Sequence, residues 1–312
     1  MKELLQNKIS GSRLTLPVIL CYAIGIWLLG GLIQKQWWIQ FGCFLLTTYL
    51  MVLLNNSNAL IRIYSRVISV TFLILSCMAC FLFSSLYGNL TQLCIVAFYL
   101  ILFQSYQDKA AAGLTYYGFL CIGLTSLTFV HILYFVPFLW ILMLSCLQSF
   151  SLRTFFASLL GIITPYWLGI CWLVYQGSLP LFVDHFAPLI RFHTPFDFSI
   201  LNNSQTTTFA FVILLAVIGT VHYWRTYYSD KIRTRQLFVI FIWIDLLTVA
   251  FICLQPQYYD PLIRILIINT APLTGHFIAL THTKITNITF CLICITALLL
   301  TGYNLWMSSS LY

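Results

Sequence analysis

Residues 176–206 read QGSLPLFVDHFAPLIRFHTPFDFSILNNSQT and form the only long interruption between the apolar segments of this chain. On either side of them the sequence consists of successive apolar runs of roughly 20 residues, the length of a transmembrane helix. Five titratable side chains fall within fourteen positions of this segment: Asp184, His185, Arg191, His193 and Asp197. Residues 176–206 therefore divide a membrane-embedded chain and are where we expect polar chemistry.

The composition excludes a soluble protein. Of the 312 residues, 61% are hydrophobic and 7% are charged, whereas a soluble domain carries about 25% charged residues. The long apolar runs predict an all-α bundle of transmembrane helices, and the ten-residue alternation of a membrane barrel is not visible. The net charge of +8 comes from basic residues that stand singly between apolar segments, so it indicates membrane topology and no nucleic-acid partner.

Hydropathy predicts eleven spans in a single integral membrane domain covering residues 1–312. With the amino terminus in the cytoplasm, twelve of the fifteen Lys and Arg residues fall on the cytoplasmic side, which is the bias of the positive-inside rule. The carboxyl terminus is then outside, and residues 176–206 form an outer interfacial loop between spans seven and eight. The predicted spans are 14–33, 37–54, 67–86, 88–105, 112–130, 133–149, 154–175, 207–226, 237–255, 261–280 and 287–306.

Two local features are expected to shape the bundle around this loop. Pro188 cannot continue a helix and should push Ala187 toward an extended conformation, which predicts two short interfacial pieces broken at these residues. On the seventh span, small or helix-bending residues recur every four positions and predict close approach of another helix. They are Ala157, Gly161, Pro165 and Gly169.

The cysteines and histidines do not form a metal-binding pattern. All eleven cysteines fall inside apolar segments, where Cys is a small packing residue. His185 and His193 are eight positions apart across a proline, which is not a spacing of metal ligands. We therefore predict no metal and no cofactor.

The strongest anomaly within a span is Asp245, in the stretch LFVIFIWIDLLTVAFICLQ (237–255). An ionised carboxylate at this depth costs about 3 kcal/mol or more, so Asp245 is either protonated or faces a polar interior. The next span supplies Arg264 and Asn269, and a short connection makes the two helices neighbours. Two interpretations of Asp245 stay open. One is a structural bridge from Asp245 to Arg264 or Asn269, and the other is a site for a proton or a ligand.

A second possible site lies at the outer end. Arg264, Arg191 and His193 are candidates to bind a phosphate together with His185, because the planar guanidinium binds two phosphate oxygens. Asp184 or Asp197 would then act as general base, which makes Asp184, His185 and Asp197 the candidate catalytic residues. The alternative is that all of these side chains anchor an amphipathic loop at the interface.

Residues 105–175 resemble an uncharacterised family of polytopic inner-membrane proteins of Bacteroidetes-type bacteria. The matching positions are Gly118, Gly123, Tyr134, Pro137, Arg153, Gly161, Pro165 and Tyr166. This resemblance implies location in a bacterial cytoplasmic membrane. That family is distantly similar to multi-span glycosyltransferases that use polyprenyl-phosphate sugars and carry an acidic catalytic residue in a long first outer loop. Here that loop is only Gln34–Gln36 and has no carboxylate.

Three functions follow as hypotheses. The first is a non-catalytic scaffold or accessory subunit of the cell envelope, which binds a membrane protein and is favoured by the scarcity of carboxylates. The second is a glycosyltransferase-like enzyme of the outer leaflet, acting on a polyprenyl-phosphate-linked sugar through the loop and Arg264. The third is a transporter or flippase that uses Asp245. Membrane lipid is an expected partner in each case.

Overall fold

A computed structural model describes residues 4–191 and 194–310, with side chains up to residue 308 at the carboxyl end. The described residues contain helices and no strand, as the all-α prediction requires. Short 3-10 segments connect several of the α-helices. In chain order the α-helices are α1 (Leu5–Gly11), α2 (Thr15–Leu29), α3 (Trp38–Asn58), α4 (Val67–Met78), α5 (Leu86–Leu102), α6 (Ala112–Thr128), α7 (Val136–Leu142), α8 (Leu152–Tyr175), α9 (Pro180–Phe186), α10 (Asn203–Thr226), α11 (Ile232–Leu254), α12 (Tyr259–Leu280) and α13 (Lys284–Ser310).

Each predicted span overlaps at least one helix, but the number of membrane crossings is not confirmed. Eight of the described helical segments are long and apolar enough to cross a bilayer. The number becomes nine if α1 and α2, which are bent by 91° relative to each other, count as one span. Helix α4 has 12 residues and is therefore about 18 Å long, shorter than the roughly 30 Å of a hydrocarbon core. The chain is a multi-pass membrane protein, and the eleven crossings stay a prediction.

Helix α12 is the centre of the bundle. All residues from Leu262 to Leu280 are buried, because α4, α5, α10 and α11 pack around it. Glycines permit the closest of these approaches. A Cβ atom at Gly219 of α10 would lie 2.7 Å from the Leu273 backbone, and one at Gly275 would lie 2.9 Å from the Ile68 side chain.

Connections between helices gather at two ends of the bundle. At the end predicted to face the cytoplasm, Ser65 Oγ donates to the Ser10 carbonyl at 2.8 Å, and Arg233 Nη2 donates to Asn58 Oδ1 at 2.8 Å. These bonds join segments that are 55 and 175 positions apart. Which end faces the cytoplasm stays a prediction.

The connection at residues 176–206 lies at the other end and is tied to the helices beneath it. The Phe196 N–H donates to the Cys253 carbonyl at 3.2 Å, and His131 Nε2 lies 3.2 Å from the Pro188 carbonyl. Helix α9 ends at Phe186, and a 3-10 turn covers Ala187–Leu189, so the predicted break at these residues is present.

The predicted extended conformation of Ala187 is wrong. Its φ of −55° and ψ of −36° are helical. The Ala187 N–H donates to the Asp184 carbonyl, so a change from α to 3-10 geometry accommodates Pro188 without extending the chain.

The small-residue stripe of α8 is used over part of its length. Gly161 packs directly against the backbone of α6, and Ala157 and Pro165 are buried. At Gly169, no heavy atom lies within 4 Å of the position that an added Cβ atom would occupy. The close approach predicted for this helix is therefore confined to the part of α8 that precedes Gly169.

Candidate functional site

Three groups of buried polar side chains surround α12, at successive depths. The first group, near the start of α12, centres on Arg264, which is 2% exposed. Arg264 Nη1 donates to Asn89 Oδ1 at 3.0 Å and to Gln92 Oε1 at 3.3 Å, and Nη2 donates to the Leu82 carbonyl. This guanidinium joins α12 to α5 and to the 3-10 turn Cys80–Leu82 that follows α4.

Gly88 makes room for the Arg264 side chain. A Cβ atom at position 88 would lie 2.5 Å from Arg264 Nε and 2.8 Å from its Cζ. The guanidinium is therefore enclosed by helix backbone on one side and by two amide side chains on the other. Arg264 is therefore buried in the interior between helices.

These contacts of Arg264 bear on two predictions made for it from the sequence. The structure does not bring it together with Arg191 or His185, because its described hydrogen bonds all go to α5 and to the turn after α4. It also does not form the expected bridge to Asp245. Arg264 and Asn269 are five positions apart, which separates them by about 140° around the helix axis, so they face different neighbours.

The middle group contains Asp245 and Asn269. Thr270 Oγ1 donates to Asp245 Oδ2 at 3.3 Å, and the Tyr99 hydroxyl donates to Asn269 Oδ1 at 2.7 Å. Asp245 Oδ1 and Asn269 Nδ2 are buried and have no hydrogen-bond partner among the residues that the structure describes. No basic side chain in the described part of the chain lies within 4.0 Å of the Asp245 carboxylate. The middle group is thus a buried carboxylate among neutral hydrogen-bonding groups.

The third group, near the end of α12, was not predicted from the sequence. His276 Nε2 lies 2.9 Å from Asp230 Oδ2, with both side chains almost fully buried. The ring of His222 lies 5.3 Å from that of His276. The residues come from α10, α12 and the connection between α10 and α11, so only the fold reveals that they meet. The available signal was a histidine in the last third of α10 and another in the last third of α12.

The candidate residues of the loop lie at or near the surface. Asp184 and Arg191 are exposed, and His185 Nε2 lies 3.1 Å from the Ser126 carbonyl at the end of α6. Asp197 Oδ1 accepts a hydrogen bond from the Ser199 N–H at 3.2 Å and starts a short 3-10 turn. His193 lies outside the described residues. In their described contacts, His185 joins the loop to α6, and Asp197 caps the 3-10 turn that follows it.

All eleven cysteines are free. Within residues 4–191 and 194–310, no three His, Cys, Asp or Glu side chains are grouped so that they could hold a metal ion.

No protein-family model, no curated protein and no solved structure matches this chain. The proposals below therefore depend on the contacts of the chain itself.

Proposed function

We propose that the protein is a transporter or flippase of a bacterial cytoplasmic membrane and that Asp245 is its proton-carrying group. The observation that supports this function best is the middle group. It places a carboxylate near the centre of α11, buried, with one oxygen unpartnered and no basic side chain within 4.0 Å among the described residues.

The energetic cost of an ionised carboxylate at this depth is the physical reason for the proposal. An ionised Asp at the centre of a membrane helix costs about 3 kcal/mol or more, and residues of this kind occur on proton and ion pathways. A structural Asp245 would bridge α11 to Arg264 or to Asn269 of α12, and a bridge to Arg264 would neutralise its charge. Arg264, the cation predicted for this role, is bound to Asn89 and Gln92.

The neighbours of Asp245 suit both protonation states. Thr270 donates to one carboxylate oxygen. Asn269, held by Tyr99, supplies an amide N–H close to the same carboxylate. Neutral donors of this kind stabilise the charged form without fixing it permanently, as a bound arginine would.

The other two hypotheses predict different behaviour. A glycosyltransferase-like enzyme would need a phosphate site at the outer loop, and the enclosed position of Arg264 removes the residue on which that site was built. A scaffold or accessory subunit binds a partner through its surface and does not need a titrating Asp245. One variant therefore separates a transporter from a scaffold.

The test uses the full-length protein in native membranes. Dicyclohexylcarbodiimide adds to a protonated carboxyl group in an apolar environment, and the stable N-acylurea is located by peptide mass spectrometry. We expect modification at Asp245 that becomes slower as the pH rises, with no modification at that position in Asp245→Asn.

A chromosomal Asp245→Asn replacement gives the functional half of the test. We expect the Asp245→Asn strain to show the phenotype of a deletion strain, although the variant protein is present at the wild-type level and has the wild-type melting temperature. The Asp184→Ala strain should behave as wild type. An Asp245→Asn protein that is folded and complements fully would overturn the transporter and favour the scaffold.

A further inference from the structure

An apolar cavity of about 150 Å³ lies where α1, α2, α4, α10, α12 and α13 meet. None of its described lining residues is charged. An apolar cavity of this size stays dry and accepts a benzene ring, so it accommodates roughly six carbon atoms of a hydrocarbon. The half-buried lining residues form its rim and are Ile9, Thr15, Ile19, Ile74, Ile293 and Cys294.

Two hydrogen bonds frame an opening of this cavity between α13 and the pair α1 and α2. The Gln6 N–H donates to Asn287 Oδ1 at 3.0 Å, and the Tyr22 hydroxyl donates to Thr301 Oγ1 at 3.1 Å. All rim residues on α1, α2 and α13 fall between these two bonds in the sequence. The opening extends over the 14 positions from Asn287 to Thr301, about 21 Å of helix, which exceeds half of the roughly 30 Å hydrocarbon core.

The outer surface beside the opening is apolar and exposed. Val18 of α2 is 62% exposed, and Ile295 of α13 is 54% exposed. In a multi-pass membrane protein, such side chains contact lipid. A hydrocarbon chain of the bilayer therefore lies next to the opening.

The hydrophobic core is divided at this cavity. A small cluster of buried residues is separate from the main core and consists of Val67, Phe277, Ile278 and Phe290. Phe290 of the small cluster and Leu215 of the main core both line the cavity. Side chains around an empty space lose dispersion contacts on that side, so a hydrocarbon chain that enters the cavity restores them.

Positive charge is concentrated at the end of the opening nearest α1. Four basic residues lie within three positions of a lining residue or of Asn287, namely Lys8, Arg13, Arg66 and Lys284. The bond from Ser65 Oγ to the Ser10 carbonyl holds the segment that carries Arg66 beside α1. None of the four has a carboxylate within 4.0 Å in the described part of the chain, and Arg66 Nε donates to the neutral Tyr64 hydroxyl at 3.1 Å. This charge is complementary to an anionic lipid head group.

We propose that the cavity binds one acyl chain of an anionic glycerophospholipid. The chain enters between α2 and α13, and the head group lies at the 91° bend between α1 and α2, beside the basic residues. Hydrogen bonds join the helices above and below the opening, so a further helix cannot insert there, whereas a flexible chain can. The site is separate from Asp245, and the inference does not depend on the proposed transport function.

The experiment compares phosphatidylglycerol with phosphatidylcholine. Both lipids carry the same acyl chains, with a photoreactive diazirine in the middle of one chain, and differ in the charge of the head group. The full-length protein is reconstituted in vesicles that contain one of the two probes at low mole fraction, and cross-linked residues are located by peptide mass spectrometry.

Cross-linking should depend on the head group only inside the cavity. At Phe290 and Ile293 we expect at least fivefold more product with phosphatidylglycerol, because one basic residue near an anionic lipid contributes about this factor. At Leu298 and Leu299, which are exposed on the surface of α13, the two probes should react equally.

Two pairs of variants separate the acyl chain from the head group. Cys294→Phe places a ring in the cavity and should abolish the excess at Phe290 and Ile293, whereas Cys171→Phe adds the same ring at an exposed position of α8 and should not. The double variant Lys8→Gln and Arg13→Gln should reduce the excess at least fivefold. The control for it, Lys109→Gln with Arg153→Gln, removes the same charges elsewhere at the same predicted end and should leave the excess unchanged.

An excess of phosphatidylglycerol at the cavity residues that Cys294→Phe removes supports the proposal. Equal yields from the two probes at these residues overturn it, as does a cavity that reacts with neither probe or an excess that Cys294→Phe leaves intact. Equal effects of the two double charge variants overturn it as well. If Cys294→Phe does not fold, the comparison of the two probes and the charge variants decide.

Discussion

A methyl group added at Gly161 should separate α8 from α6. A Cβ atom there would lie 2.5 Å from the Tyr116 carbonyl oxygen and 2.9 Å from the Leu120 backbone nitrogen. Ordinary contacts of this kind are at least 3.4 Å, so the two helices must move apart by roughly 1 Å. The obstacle is helix backbone, which cannot rotate away as a side chain can.

The magnitude follows from two opposing effects of Gly161→Ala. Overpacking of a well-packed interface costs about 1–3 kcal/mol. The higher helix propensity of Ala returns up to about 1 kcal/mol. Gly169→Ala is the matched control, since it lies on the same helix and its added methyl group would meet no atom within 4 Å. The propensity gain is common to both variants, so their difference in unfolding free energy isolates the steric cost, which we expect to be about 1–3 kcal/mol.

Reversible unfolding in mixed detergent and dodecyl sulfate micelles measures that difference. The order of stability should be Gly169→Ala at or above wild type, and Gly161→Ala below both. Equal unfolding curves for the two alanine variants would refute the close packing of α6 against α8, and with it the physical reason for a glycine at position 161.

Two further predictions concern the polar residues and the topology. Arg264→Ala leaves the Asn89 and Gln92 amide oxygens and the Leu82 carbonyl without their donor and opens a cavity. It should therefore destabilise the protein by about 3–5 kcal/mol in a detergent melting assay, whereas Asp184→Ala at the surface should change stability by less than about 0.5 kcal/mol. Similar losses for both variants would contradict the buried position of Arg264. Alkaline phosphatase fused after residue 195 should be active and a fusion after residue 229 inactive, and the reverse pattern would contradict the orientation derived from the basic residues.

The sequence predicts where helices lie better than where they break. The apolar run that begins at Val67 continues to residue 86, yet α4 ends at Met78 without a proline or glycine. The carbonyls freed by this break are bound by distant partners: Asn304 Nδ2 donates to the Met78 carbonyl, and Arg264 donates to that of Leu82. These partners are 226 and 182 positions away, so local hydropathy contains no sign of them.

The same limit applies to the site. Asp245 stands out in the sequence because depth in the membrane follows from hydropathy, and depth alone makes a carboxylate costly. The direction that a side chain faces around its helix depends on packing, so the sequence alone does not show that Arg264 binds Asn89 and Gln92. Asp230 and His276 are 46 positions apart, and only the folded bundle brings them together.

Helix α12 is the most enclosed of the long helices and also has the lowest hydropathy among them. Such a segment gains little free energy by moving alone from the translocation channel into lipid. Its arginine, asparagine and histidine would then enter the hydrocarbon region without hydrogen-bond partners. It is synthesised after all four of the helices that enclose it, α4, α5, α10 and α11. The order of helices along the chain is therefore also an order of biogenesis. The four surrounding helices are synthesised before the central helix α12.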